Sequence, residues 1–139
     1  FIKLFWIRLY HKGKKIAVLG VGSMIPSCME ICKGLKDDGY DPTFVNARFV
    51  KPLDVDLLDE LAKDHSLFVT VEENVKSGGY GEHVSAYMEA CHPEIRVLSA
   101  AVWDRFVPQG NVESLRSRIG LGVEDIRQAI EDSEELREQ

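Results

Sequence analysis

Two carboxylates, Glu72 and Glu73, close the apolar run Val69-Thr70-Val71, and the glycine-rich string Gly78-Gly79-Tyr80-Gly81 follows. This reads as a buried strand, a turn and a helix start. In open α/β sheets, ligands sit beyond the carboxyl ends of strands, so this junction is the first place to look for chemistry. Two adjacent acids suggest proton transfer, but an acid/base pair must aim both groups at one substrate. Successive strand side chains point to opposite faces, so Glu72 and Glu73 make a poor pair. One of them is instead expected to cap the next helix or to pair with an arginine. The glycines could cradle a phosphate on backbone N–H groups. Only Lys76 lends positive charge there, which favours a turn that allows close packing between domains or subunits. Arg48 and Phe49 follow an earlier strand, and Trp103-Asp104-Arg105-Phe106 a later one. The candidate interface or anion-site cluster is therefore Arg48, Phe49, Glu72, Glu73, Gly78, Gly79, Gly81, Trp103 and Arg105. Arg48 is expected to pair with Glu72 or Glu73, and exposed aromatics suit a domain or subunit contact.

Other motifs fall short. Gly20-Val21-Gly22 sits where a dinucleotide fingerprint would, but Ile25 occupies the third glycine position, so the glycines read as a tight strand-to-helix turn. No glycine-lysine-serine/threonine run marks a P-loop, and Ser23 lacks the flanking glycines of a nucleophile elbow. His11 and His65 read as isolated loop residues. His83 falls in the first turn of a helix and His92 just past its end, and no histidine or cysteine spacing suits a metal. Cys28 and Cys32 share the apolar face of a helix, and an odd count of three cysteines gives no disulfide framework. No residue is assigned as catalytic, cofactor-binding or metal-ligating.

The elements that would carry these residues alternate. A strand over 16–19 leads through the glycine turn to a helix capped by Ser23, with Pro26 in its first turn, Ile25, Cys28, Ile31, Cys32 and Leu35 inward, and Gly39 as C-cap. Strands follow at 42–47, 66–71 and 96–102. Helices are expected at 55–63, capped by Asp54, and at 80–91, with Val84, Tyr87, Met88 and Cys91 inward. Two more fall at 112–119 and 123–131. Alternation of this kind implies an α/β fold, a mainly parallel open sheet with helices on both faces. One domain spans 15–131, residues 1–14 read as a leader or linker, and the charged tail 132–139 frays.

With 139 residues, 45% of them hydrophobic and 29% charged, the chain has one domain's worth of core. A net charge of −6 argues against a nucleic-acid partner. Residues 1–11 are crowded with aromatics but are too short and too charged for a membrane span, and they lack a signal-peptide cleavage pattern. A soluble cytoplasmic protein is expected.

The strings Ala17-Val-Leu-Gly-Val-Gly-Ser-Met24, Asn46-Ala-Arg-Phe-Val-Lys-Pro-Leu-Asp54, Val69-Thr-Val-Glu-Glu73 and Gly78-Gly-Tyr-Gly81 resemble, in this order, the C-terminal domain of transketolase-like enzymes. Asp104-Arg-Phe-Val-Pro-Gln-Gly110 is similar to the 1-deoxy-D-xylulose-5-phosphate synthase branch, although many members carry His where this chain has Gln109. The resemblance runs from about Lys15 to Ile130. It implies an accessory domain of a homodimeric enzyme that condenses pyruvate with glyceraldehyde 3-phosphate, with loss of carbon dioxide. It also implies that thiamine diphosphate and Mg²⁺ belong to preceding catalytic domains of the same chain. The family's diphosphate-and-metal motif and its activating Glu are absent here, so no cofactor is expected in this segment. The alternatives are the matching domain of transketolase or of a 2-oxoacid dehydrogenase β chain, or a free-standing module gripping an anion or a protein.

Overall fold

A computed structural model of the chain describes residues 9–21, 24–47, 55–73, 79–102 and 123–138. Five strands form one sheet: β1 (Leu9–His11), β2 (Lys15–Gly20), β3 (Thr43–Asn46), β4 (His65–Glu73) and β5 (Arg96–Val102). Their order is β1-β3-β2-β4-β5. β1 runs antiparallel to β3, and the other pairs are parallel. The helices are α1 (Ile25–Asp37), α2 (Val55–Ala62), α3 (Tyr80–Cys91) and α4 (Val123–Glu138). This is the mainly parallel α/β architecture that the alternation implies, with one antiparallel edge strand added from within residues 1–14.

The central strands are apolar on both faces because helices cover both. Ile16 and Val18 of β2, with Leu67, Val69 and Val71 of β4, meet Cys28, Ile31, Cys32 and Leu35 of α1 and Ile126 and Ile130 of α4. Ala17, Leu19, Val45 and Phe68 face the other way, onto Leu57, Leu58 and Leu61 of α2 and Val84 and Met88 of α3. The period of two along β2 and β4 thus sorts each residue to its layer. Because Phe68 faces α2 and α3, Thr70 and Glu72 face that side as well.

α1 begins without a side-chain cap: Met24 holds the cap position, its N–H bonded to the Val21 carbonyl at 3.0 Å. A tight turn replaces the expected Ser23 cap, and Pro26 sits in the first turn, where no N–H is needed. The helix ends at Gly39, whose φ of +100° favours glycine. The Gly39 and Tyr40 N–H groups return to the Lys36 and Leu35 carbonyls at 3.0 and 2.9 Å, the paired closure typical of glycine-ended helices. β3 starts one residue after Pro42, which has no N–H to give a ladder. β4 is longer than expected at both ends, because its register with β5 continues through Glu72–Ala101 and Glu73–Val102. α4 continues to Glu138, beyond the expected end at Glu131. Asp54 and the helix at 112–119 lie outside the described residues.

Four side chains differ from their sequence expectations. His65 opens β4 and is buried. His11 lies in the edge strand β1 rather than in a loop. Cys91 is exposed, and Tyr87 is half-buried with its hydroxyl donating to Asp59 Oδ1 at 2.7 Å. Both follow from the narrow apolar stripe of α3: Tyr80, Gly81, Val84 and Met88 fill it, and Tyr87 packs against that core only in part.

Candidate functional site

The carboxyl edge of the sheet gathers the ends of β2, β3, β4 and β5. Here the Val21 N–H bonds the Val71 carbonyl at 3.0 Å, and the Ala47 N–H bonds the Gly20 carbonyl at 2.8 Å. Gly20 lies against Cys28, which agrees with a tight strand-to-helix turn. Burial pushes the Cys28 and Cys32 thiols up to about 12, so both are protonated and unreactive.

Glu72 is the centre of this edge. Its side chain turns toward α3 and is buried. Oε1 accepts the Tyr80 N–H at 2.9 Å, and Oε2 accepts the Gly81 N–H at 2.7 Å. These are two of the four N–H groups that an α-helix leaves without partners at its start. A carboxylate there also meets the positive end of the helix dipole. Of the two expected roles for the acidic pair, helix capping is therefore the one observed for Glu72. The capping residue comes from the preceding strand, because Gly79 at the cap position has no side chain to do it.

Gly81 fits against this carboxylate. A Cβ on Gly81 would lie 2.7 Å from Glu72 Oε2, 2.7 Å from Thr70 Oγ1 and 2.9 Å from Ser99 Oγ. Gly81 is thus a close-packing position within the domain. Gly81→Ala gains about 1 kcal/mol of helix propensity, but it overpacks a site of short, anchored side chains, at about 2 to 3 kcal/mol. The expected result is a net loss of about 1 to 2 kcal/mol, read from urea midpoints. A more stable variant would contradict this packing.

Of the expected cluster, the structure brings Glu72, Gly79 and Gly81 together. Glu73 ends β4, and its side chain is not described. Arg48, Phe49, Gly78, Trp103 and Arg105 lie outside the described residues, and so does any ion pair of Arg48. Thr70 and Ser99 were not singled out from the sequence. Thr70 is fully buried, and its hydroxyl has no partner among the described residues. The available signal was alternation: Thr70 lies two residues before Glu72 and so shares its face.

A second polar cluster was also missed, at the opposite edge. His65 Nε2 lies 2.6 Å from Thr43 Oγ1, and Nδ1 lies 2.8 Å from the Leu61 carbonyl. Gly13 N–H donates to Thr43 Oγ1 at 2.8 Å. The network assigns the proton to Nδ1, with the Thr43 hydroxyl donating to Nε2. Burial holds the imidazole below its ordinary value of 6.5. On the surface, Asp59 accepts from Tyr87 and from His92 Nε2 at 2.8 Å, and the His92 bond lowers its carboxyl below the usual range. Among the described residues no group of three or more His, Cys, Asp or Glu side chains could hold a metal ion. No described helix is long and apolar enough to cross a membrane.

The family model "Transketolase, C-terminal domain" matches residues 7–126. The chain belongs to the transketolase C-terminal domain family. A 1-deoxy-D-xylulose-5-phosphate synthase of Lachnoclostridium phytofermentans is 39% identical over 125 residues, covering 85% of this chain and 20% of the relative. One of Dictyoglomus thermophilum is 40% identical over 118 residues, covering 85% and 19%. The chain thus spans about a fifth of the length of the relatives it matches. Among solved structures, "Split gene transketolase, inactive beta4 tetramer" superposes with a TM-score of 0.74 at 28% identity, over 89% of this chain and 40% of that one.

The start of α3 does not fit the diphosphate of the family's cofactor, thiamine diphosphate. The helix start whose N–H groups could receive a diphosphate already holds the Glu72 carboxylate, and a second anion there would meet like charge.

Proposed function

We propose that this chain is the C-terminal accessory domain of a 1-deoxy-D-xylulose-5-phosphate synthase. The whole enzyme condenses pyruvate with glyceraldehyde 3-phosphate and releases carbon dioxide. Thiamine diphosphate and Mg²⁺ supply that chemistry from preceding catalytic domains, in a cytoplasmic homodimer. This domain supports the dimer and closes one side of the catalytic module, and it is inactive alone. The observation that carries the accessory role is Glu72: its two oxygens are spent on the Tyr80 and Gly81 N–H groups. A carboxylate so engaged holds a helix rather than transferring protons. The synthase assignment is supported by identities of 39% and 40% to such enzymes, over a fifth of their length.

Isothermal calorimetry of the 139-residue chain with thiamine diphosphate and Mg²⁺ tests the accessory reading. No saturable heat is expected. Micromolar binding, about −8 kcal/mol, would overturn it.

A further inference from the structure

Lys12 and Gly13, in the turn between β1 and β2, both reach partners of His65. Lys12 Nζ donates to Asp64 Oδ2 at 2.9 Å, and the Gly13 N–H donates to Thr43 Oγ1 at 2.8 Å. His65 uses the same two residues: Nδ1 lies 2.6 Å from Asp64 Oδ1, and Nε2 lies 2.6 Å from Thr43 Oγ1. His65 and Thr43 are buried, whereas Lys12 and Asp64 reach the surface. The turn leaves through Lys15, whose φ of +71° is costly for a residue with a side chain. A strained turn held by two side-chain contacts opens when both contacts weaken together.

We propose that protonation of His65 opens this turn at Lys12 and Gly13 while β1 stays paired to β3, a pH-sensitive hinge where the chain enters β2. With a proton on Nδ1 alone, Nε2 accepts from the Thr43 hydroxyl, whose oxygen accepts from Gly13. A second proton makes Nε2 a donor, and the hydroxyl proton must turn away. Among the described residues Thr43 Oγ1 bonds only Gly13 and His65, and Thr43 is fully buried, so that proton is left without an acceptor. Release of Gly13 admits water, which supplies one. Charge acts in the same direction. Burial above all, and the Lys12 ammonium in part, oppose protonation of His65. Linkage makes the opposition mutual, so a charged His65 disfavours Lys12 in its place. Asp64, which favours the charge on His65, is drawn to the imidazolium and away from Lys12. Of the other neighbours, Lys15 lies opposite His65 in β2 and is exposed, and Leu61 of α2 offers its carbonyl to Nδ1. Two contacts do not involve His65: the Lys14 N–H meets the Asp41 carbonyl at 2.8 Å, and His11 Nε2 meets Asp41 Oδ1 at 2.9 Å. A charged His11 tightens on Asp41, so β1 stays seated and the motion is confined to Lys12 and Gly13. This inference does not depend on the synthase assignment.

The test is amide hydrogen exchange of the full chain by NMR, from about pH 7.5 to about pH 5, normalised to unstructured rates. Protection of the Gly13 N–H should fall roughly tenfold as the pH falls, while Val18 and Val69 in the middle of the sheet stay protected. The fall should follow the ring signal of His65 in the same sample, not that of His11. In Lys12→Met, a surface change that leaves the core intact, the His65 midpoint should rise above the parent's. In Thr43→Val, Gly13 protection should be low at every pH, with no slope. Gly13 protection that does not change with pH overturns the proposal, and so does a His65 midpoint unmoved by Lys12→Met. Equal losses at Gly13, Val18 and Val69 overturn it as well, because the whole domain is then unfolding.

Discussion

Replacing Glu72 with alanine is expected to cost about 4 kcal/mol of domain stability, the largest single-residue loss at the carboxyl edge. The two bonds at 2.9 and 2.7 Å are charge-assisted and buried. Without them, the Tyr80 and Gly81 N–H groups are desolvated with no acceptor, and α3 loses the anion at its positive end. Glu72→Gln separates these contributions. Its amide oxygen can serve one N–H, but its NH₂ then faces the other, so about 2 kcal/mol should be lost. Urea unfolding gives both values, with the alanine midpoint falling by about 2 M for a domain of this size. Amide exchange at Tyr80 and Gly81 should accelerate in both variants. A Glu72→Ala midpoint equal to the parent's would mean that the carboxylate is not needed by the fold. The accessory reading would then lose its main support.

His65→Ala is expected to cost about 3 kcal/mol. The imidazole fills buried space, accepts from Thr43 and donates to the Leu61 carbonyl, so its removal leaves a cavity and takes one hydrogen bond each from the Thr43 hydroxyl and the Leu61 carbonyl, which keep the Gly13 and Asp64 N–H groups. The same residue makes stability depend on pH. Burial lowers its folded value below 6.5, so the unfolded chain takes up a proton before the folded chain does. Stability from this group is complete above 6.5 and is lost as the pH falls through the lowered folded value. Chemical denaturation across that window should show a slope in the parent that His65→Ala lacks. Equal slopes would show that His65 titrates alike in both states.

Several features were legible from side-chain order alone. The apolar runs 16–19 and 66–71, and the helical spacing of Cys28, Ile31, Cys32 and Leu35, report burial by nearest layers, and nearest layers are set by local period. Pro26 and Gly39 mark the ends of α1 because each dictates φ at its own position. The motif strings carried the family assignment for the same reason, since they depend on linear order. Tertiary structure decided which partner each polar group meets. Glu72 could have capped a helix or paired with an arginine. The pleat of β4 aimed it at α3, and the missing Cβ of Gly81 let the helix start come within reach. His65 looked like a loop residue because a lone histidine carries no periodic signal. It became a buried hub when β3 brought Thr43 beside it from 22 positions away. Tyr87 and Cys91 satisfied the helical spacing, yet Tyr87 packs on the core only in part and Cys91 is exposed, because period fixes direction around an axis but not how deeply each turn is covered.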